Sequence, residues 1–116
     1  MLYINVGEQH PTTRQIISTL YITKAFEIAN KYAPNIKQVY NQHGGMEPEM
    51  WSRVKKTILY LRNQGYRVDG IGWQAHLKST EDLMLEPESL QSLSNLIDWA
   101  HANDLEFHIT EIDYKI

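Results

Sequence analysis

The chain has 116 residues and a formal net charge of −3, and its Lys and Arg residues are scattered rather than clustered, so it has no basic stripe to neutralise phosphates and nucleic acid is not an expected partner. A 42% hydrophobic share beside 22% charged residues is ordinary for a soluble globular domain with one core, and no apolar run approaches the roughly 20 residues needed to cross a bilayer. With no cysteine, disulfides and thiolate metal sites are excluded, and the N-terminus lacks the charged and apolar regions of a signal peptide.

Leu2-Tyr-Ile-Asn-Val6 is short, β-rich and followed by Gly7, which predicts a strand entering a loop. Pro11-Thr-Thr13 then supplies a helix start. Ile17, Tyr21, Ala25, Ile28 and Tyr32 recur at helical spacing and predict one buried face, and Pro34 stops the helix. Ile36 to Tyr40 predicts a second strand, with Asn41-Gln-His-Gly-Gly45 as a polar loop after it. Pro48 suits the first turn of a second helix. In that helix Met50, Val54, Ile58 and Leu61 face inward, Lys55, Lys56 and Arg62 face water, and Gly65 is the stop.

Val68-Asp-Gly-Ile-Gly-Trp73 predicts a third strand, with Gln74-Ala-His-Leu77 at its C-terminal end. Residues 78 to 86 read as a loop. Pro87 opens a third helix with Leu90, Leu93, Ile97 and Ala100 inward, and Phe107 to Ile112 predicts a fourth strand. The order βαβαβαβ implies parallel strands joined by right-handed crossovers.

Two architectures answer that description. A doubly wound sheet would normally carry a glycine-rich nucleotide loop after its first strand, and neither G-x-G-x-x-G nor a P-loop is present. Polar and ionisable residues instead follow every strand: Glu8, then Asn41 with His43, then Gln74 with His76, then Glu111. That placement favours an α/β fold of the (β/α) barrel kind, whose chemistry sits at the C-terminal ends of its strands. His10, His101 and His108 match no metal-ligand spacing, so no metal or cofactor is expected. Trp51 and Trp99 lie on amphipathic helices and read as packing residues, whereas Trp73, just before Gln74, is the tryptophan placed to face a cleft.

Val68-Asp-Gly-Ile-Gly-Trp-Gln-Ala-His76 followed by Ile109-Thr-Glu-Ile-Asp113 resembles the sixth and seventh strands of family 10 glycoside hydrolases, in which G-I-G-x-Q-x-H and I-T-E-L-D recur in that order. Ala25-Phe26, Tyr32-Ala-Pro34 and Val39-Tyr-Asn41 resemble the family's fourth helix and the start of its fifth-strand motif Y-N-D-Y-N. The resemblance implies a partial (β/α)8 TIM barrel: a single domain over residues 1–116 with about four parallel strands and three helices. It lacks the family's first three strands and its eighth.

By that likeness Glu111 is the nucleophile, His76 hydrogen-bonds and orients it, and Gln74 lines the site beside the cleaved sugar. Asn5-Val-Gly-Glu8-Gln9 can be laid on the fourth-strand motif V-N-E-A, which puts Glu8 at the acid/base position. Gly7 departs from the family there, replacing the Asn that normally binds the 2-hydroxyl of the reacting sugar. Asn41 keeps the first Asn of the fifth-strand motif, while His43 replaces the Tyr that would stack on the leaving-group sugar.

The implied activity is retaining hydrolysis of β-1,4-xylan or a related polysaccharide, with a secreted or periplasmic location. The alternative is an impaired or inactive barrel fragment with a carbohydrate-binding or structural role. Either way the two terminal strands present uncapped edges, which a second copy of the chain or a complementary barrel half would cover.

Overall fold

The computed structural model describes residues 1–6, 13–43, 48–77 and 87–114, with only the backbone described for residues 13–19, 77, 113 and 114. In chain order the elements are β1 (Leu2–Val6), α1 (Thr13–Tyr32), β2 (Gln38–Gln42), α2 (Pro48–Asn63), β3 (Gly70–Trp73), β4 (His76–Leu77), α3 (Pro87–Ala102), β5 (Glu106–Ile109) and β6 (Asp113–Tyr114). Strands β1, β2, β3 and β5 form one parallel sheet in that order, and β4 pairs in parallel with β6. Since β4 follows β3 and β6 follows β5 after short breaks, the short pair extends the same two strand paths. The four strands and three helices expected of a partial TIM barrel are therefore present.

The register explains how the site is separated from the core. Ile4, Tyr40, Ile71 and Phe107 share one row across the sheet, and Asn5, Asn41, Gly72 and His108 share the next. Side chains alternate faces along a strand, so the apolar row meets the helices and the polar row lines the lumen. On the helix side Phe26 stacks on Tyr40 at 6.4 Å, and Trp51 meets Trp73 edge-on at 6.1 Å. Ile22, Val54, Ile58, Leu61, Ile71 and Leu96 fill the rest of that layer. Each large apolar side chain buried there stabilises the fold by about 1.5–3 kcal/mol.

Several local expectations are corrected. The buried stripe of α1 is Ile22, Phe26 and Ala29, whereas Tyr21 and Tyr32 stand 69% and 74% exposed. Both stripes have helical spacing. The choice between them falls to the sheet, because Phe26 finds the Tyr40 ring while Tyr21 and Tyr32 stand exposed. In α3, Leu96 and Ala100 are fully buried, and Leu90, expected inward, is exposed. Strand β2 begins and ends two residues later than expected, which carries Asn41 out of the predicted loop and into the ladder opposite Asn5. The last main strand ends at Ile109 rather than Ile112, leaving Glu111 between β5 and β6.

Helix α2 ends as expected at Gly65, whose φ of 90° is left-handed. The Gly65 and Tyr66 amides donate to Arg62 and Leu61, which satisfies the last carbonyls. Arg62 is half-buried rather than turned wholly to water. Its guanidinium donates to the carbonyls of Asn103, Val68 and Asp104, tying the C-terminal ends of α2 and α3 to the entry of β3. No described helix is long and apolar enough to cross a membrane.

Candidate active site

The strand ends bring four polar residues of the inner face together. Asn41 Nδ2 donates to Asn5 Oδ1 at 2.7 Å, Gln74 Nε2 makes a longer contact of 3.4 Å to the same oxygen, and the Thr110 hydroxyl donates to Asn41 Oδ1 at 2.8 Å. These links join β1, β2, the end of β3 and the end of β5. Asn41 is on β2 and Thr110 follows β5, so their bond passes over β3 at Gly72. A Cβ at position 72 would stand 2.5 Å from Asn41 Oδ1, and only glycine leaves that path open.

Asn5 and Thr110 fall inside the motif segments, but no motif gives either a place in the site. The signal was available: Asn5 interrupts an apolar strand between Ile4 and Val6, where alternation sends it to the opposite face.

His76 and Glu111 lie at the C-terminal ends of adjacent strand paths, with His76 Nε2 3.9 Å from Glu111 Oε1. That is an ion-pair separation if the imidazole is protonated and is longer than a hydrogen bond. Glu111 keeps 52% of its side chain accessible, as a carboxylate that must reach a substrate requires. Between Gln74 and His76 the chain turns at Ala75, whose φ of 53° is in the left-handed region that non-glycine residues seldom adopt. This turn interrupts the ladder between β3 and β4 and redirects His76. It is backbone strain located at the site itself.

The other expected site residues fall as follows. Gln74 is buried at the end of β3, beside Asn5. His43 is exposed just beyond β2. Trp73 is a correction: it is 4% exposed and faces Trp51 of α2 rather than a cleft, because the pleat turns it away from the face occupied by Gly72. Glu8 and Gly7 lie outside the described residues.

Lower in the lumen, Lys37 Nζ donates to Glu106, and His108 Nε2 is 3.3 Å from the second Glu106 oxygen. The hydrogen bond from Lys37 holds the Glu106 carboxyl below its ordinary range and in turn raises Lys37. Among the described residues no cluster of three acidic or imidazole side chains could hold a metal ion.

A curved parallel wall with helices outside, a polar lumen inside, and a carboxylate beside an imidazole where adjacent strands end defines a segment of a (β/α)8 barrel. Residues 7–116 match the family model of Glycosyl hydrolase family 10, and the chain belongs to that family. It is 34% identical to Endo-1,4-beta-xylanase A of Caldicellulosiruptor saccharolyticus over 89% of this chain and 29% of the relative. To the Endo-1,4-beta-xylanase of Geobacillus stearothermophilus it is 30% identical, over 90% of this chain and 30% of the relative.

Among solved structures, the endo-1,4-beta-xylanase from Caldicellulosiruptor owensensis superposes with a TM-score of 0.71 at 28% identity, over 97% of this chain and 36% of that one. A mutant solved in complex with xylotriose superposes with a TM-score of 0.73 at 30% identity, over 96% of this chain and 35% of that one. The chain thus spans under a third of the length of the curated relatives it matches.

Proposed function

We propose that this chain is the fourth-to-seventh-strand portion of a retaining β-1,4-xylan hydrolase. In that reading Glu111 attacks the anomeric carbon and Glu8 protonates the leaving oxygen, then activates the water that releases the sugar. The observation that carries it is the placement of Glu111 and His76 3.9 Å apart at neighbouring strand ends, within segments that resemble the family's two most informative motifs. In that reading the neighbouring His76 ring orients the attacking carboxylate. Double displacement also requires the two carboxyl groups to approach to about 5–5.5 Å.

In the same reading Gln74 and His43 contact the sugars on either side of the cleaved bond. The single domain of residues 1–116 would be completed by further strands, which would pair with the free edges of β1 and β5 and cover the exposed Leu20, Tyr21 and Tyr32 of α1. Secretion follows from the extracellular position of the polymer. A second reading, a non-catalytic carbohydrate-binding or structural segment, is favoured by those open edges and by Gly7 at the position of the family's sugar-binding Asn.

The test is release of reducing sugar from xylan, with Glu111→Gln as the control. The expected result is hydrolysis that this isosteric change abolishes. Hydrolysis that persists in the variant would overturn the assignment of Glu111.

A further inference from the structure

The segment that carries Glu111 is held in an unusual way. Residues 110–112 fall between β5 and β6, where the ladder continues only as far as the Thr110 amide among the described backbone bonds. Ahead of Glu111 the chain is anchored at Thr110, whose amide donates to the Trp73 carbonyl at 2.9 Å and whose hydroxyl donates to Asn41 Oδ1 at 2.8 Å. Behind it the ladder resumes where Asp113 pairs with His76. Glu111 is therefore suspended between two anchors, and the one next to it combines a backbone bond to the neighbouring strand path with a side-chain hydrogen bond to a strand two places away.

The acceptor is itself set. Asn41 is only 3% exposed, and its Nδ2 donates to Asn5 Oδ1 at 2.7 Å, which turns Oδ1 toward Thr110. The three groups form a directed chain: Thr110 hydroxyl to Asn41 carbonyl oxygen, Asn41 amide to Asn5 oxygen. Each bond polarises the next, and burial strengthens both. With its carbonyl and amide both engaged and almost no accessible surface, Asn41 is built as a strut rather than as a sugar contact.

We infer that Thr110 is a positioning residue for Glu111, acting through the Asn41–Asn5 strut across Gly72. This rests on the reading of Glu111 as the attacking carboxylate, and it adds to that reading a residue whose hydroxyl touches no substrate. The reacting atoms must be aligned to within a fraction of an ångström, and a displacement of about 1 Å costs on the order of a hundredfold in rate. Loss of the hydroxyl leaves the Thr110 amide bond in place but frees the segment to rotate about it.

The experiment compares the chain with Thr110→Val, which keeps the shape and removes the hydroxyl, and with Thr110→Ser, which restores it. The first readout needs no turnover: the nuclear Overhauser contact between the His76 ring and the Glu111 γ-methylene. It is expected in the parent, weakened in Thr110→Val and recovered in Thr110→Ser. Asn41→Ala removes the acceptor instead of the donor and should weaken the same contact, which guards against a folding defect in one variant.

The second readout is kinetic, with kcat on xylo-oligosaccharide expected to fall about tenfold or more in Thr110→Val while KM changes less than about twofold. An inactive parent would count against the proposed hydrolase, and the Overhauser comparison would still decide the positioning role. A His76–Glu111 contact unchanged in both Thr110→Val and Asn41→Ala would overturn the inference.

Discussion

The rings of Tyr3 and His108 meet edge to face, with centroids 6.0 Å apart and planes 75° from parallel, although they belong to the two outermost strands of the described four-stranded sheet. Standing upright on a flat sheet, side chains three strand steps apart would be separated by roughly 14 Å at ~4.8 Å per step. Only a wall that curves around its lumen brings them together, which is how a barrel differs from an open sheet. An aromatic pair of this geometry is worth about 0.5–1.5 kcal/mol beyond its buried area. Tyr3→Ala should therefore lower the urea-unfolding free energy by about 1–2 kcal/mol. No change would mean that the two edges do not meet in solution.

Gly72→Ala should destabilise the chain by about 1–3 kcal/mol, the usual cost of forcing extra volume into a closed space. The new methyl would stand 2.5 Å from Asn41 Oδ1 and 2.9 Å from Thr110 Cγ2, so one partner has to move. Thermal unfolding measures the cost. If the Asn41 bond to Thr110 is what the methyl breaks, combining Gly72→Ala with Thr110→Val should cost less than the sum of the two single changes.

Arg62 offers a test of how the helices are tied together. Arg62→Ala leaves the carbonyls of Asn103, Val68 and Asp104 without the donor that reaches them in the structure. Hydrogen bonds to a charged donor contribute about 1.5–3 kcal/mol, and an expected loss of about 2–3 kcal/mol allows for water reaching the outermost carbonyl. Arg62→Lys should recover only part of it, since its single ammonium nitrogen cannot span the acceptors that two guanidinium nitrogens reach from opposite ends of a planar fork. Full recovery by Lys would show that charge alone matters there.

The pair between Lys37 and Glu106 predicts a pH window. Glu106 is held below its ordinary 4.5, so its contribution is present above that value and is lost as pH falls through the lowered folded one. Lys37 is raised above its ordinary 10.5, so its contribution is present below that value and is lost as pH rises through the raised folded one. The Tm difference between parent and Lys37→Gln should be steady between these limits and shrink at both extremes. Both groups are exposed, so the difference should also shrink in high salt.

Some site residues were legible because their environment is local. Gln74, His76 and Glu111 belong to contiguous motifs, each beside a strand end marked by its own β-rich residues. Trp73 lies on the opposite side from the one its adjacency to Gln74 suggests, because neighbours in sequence point to opposite faces of a strand. Thr110 stayed hidden because its partner Asn41 is 69 residues away and Gly72, which makes room for their bond, is silent in any motif.

The sequence by itself determined the alternation of strands and helices, the inward stripe of α2, the stop at Gly65 and the family to which the chain belongs. The first three rest on spacings within a few residues, which the backbone enforces before anything packs, and the family rests on short contiguous motifs in a fixed order. The tertiary structure decided which stripe of α1 is buried, that β2 runs on through Asn41, that Arg62 ties three carbonyls, and that Asn5, Asn41 and Thr110 form one strut. Those outcomes depend on groups tens of residues apart that meet only when parallel strands align in register and the sheet curves. No local period encodes such a meeting.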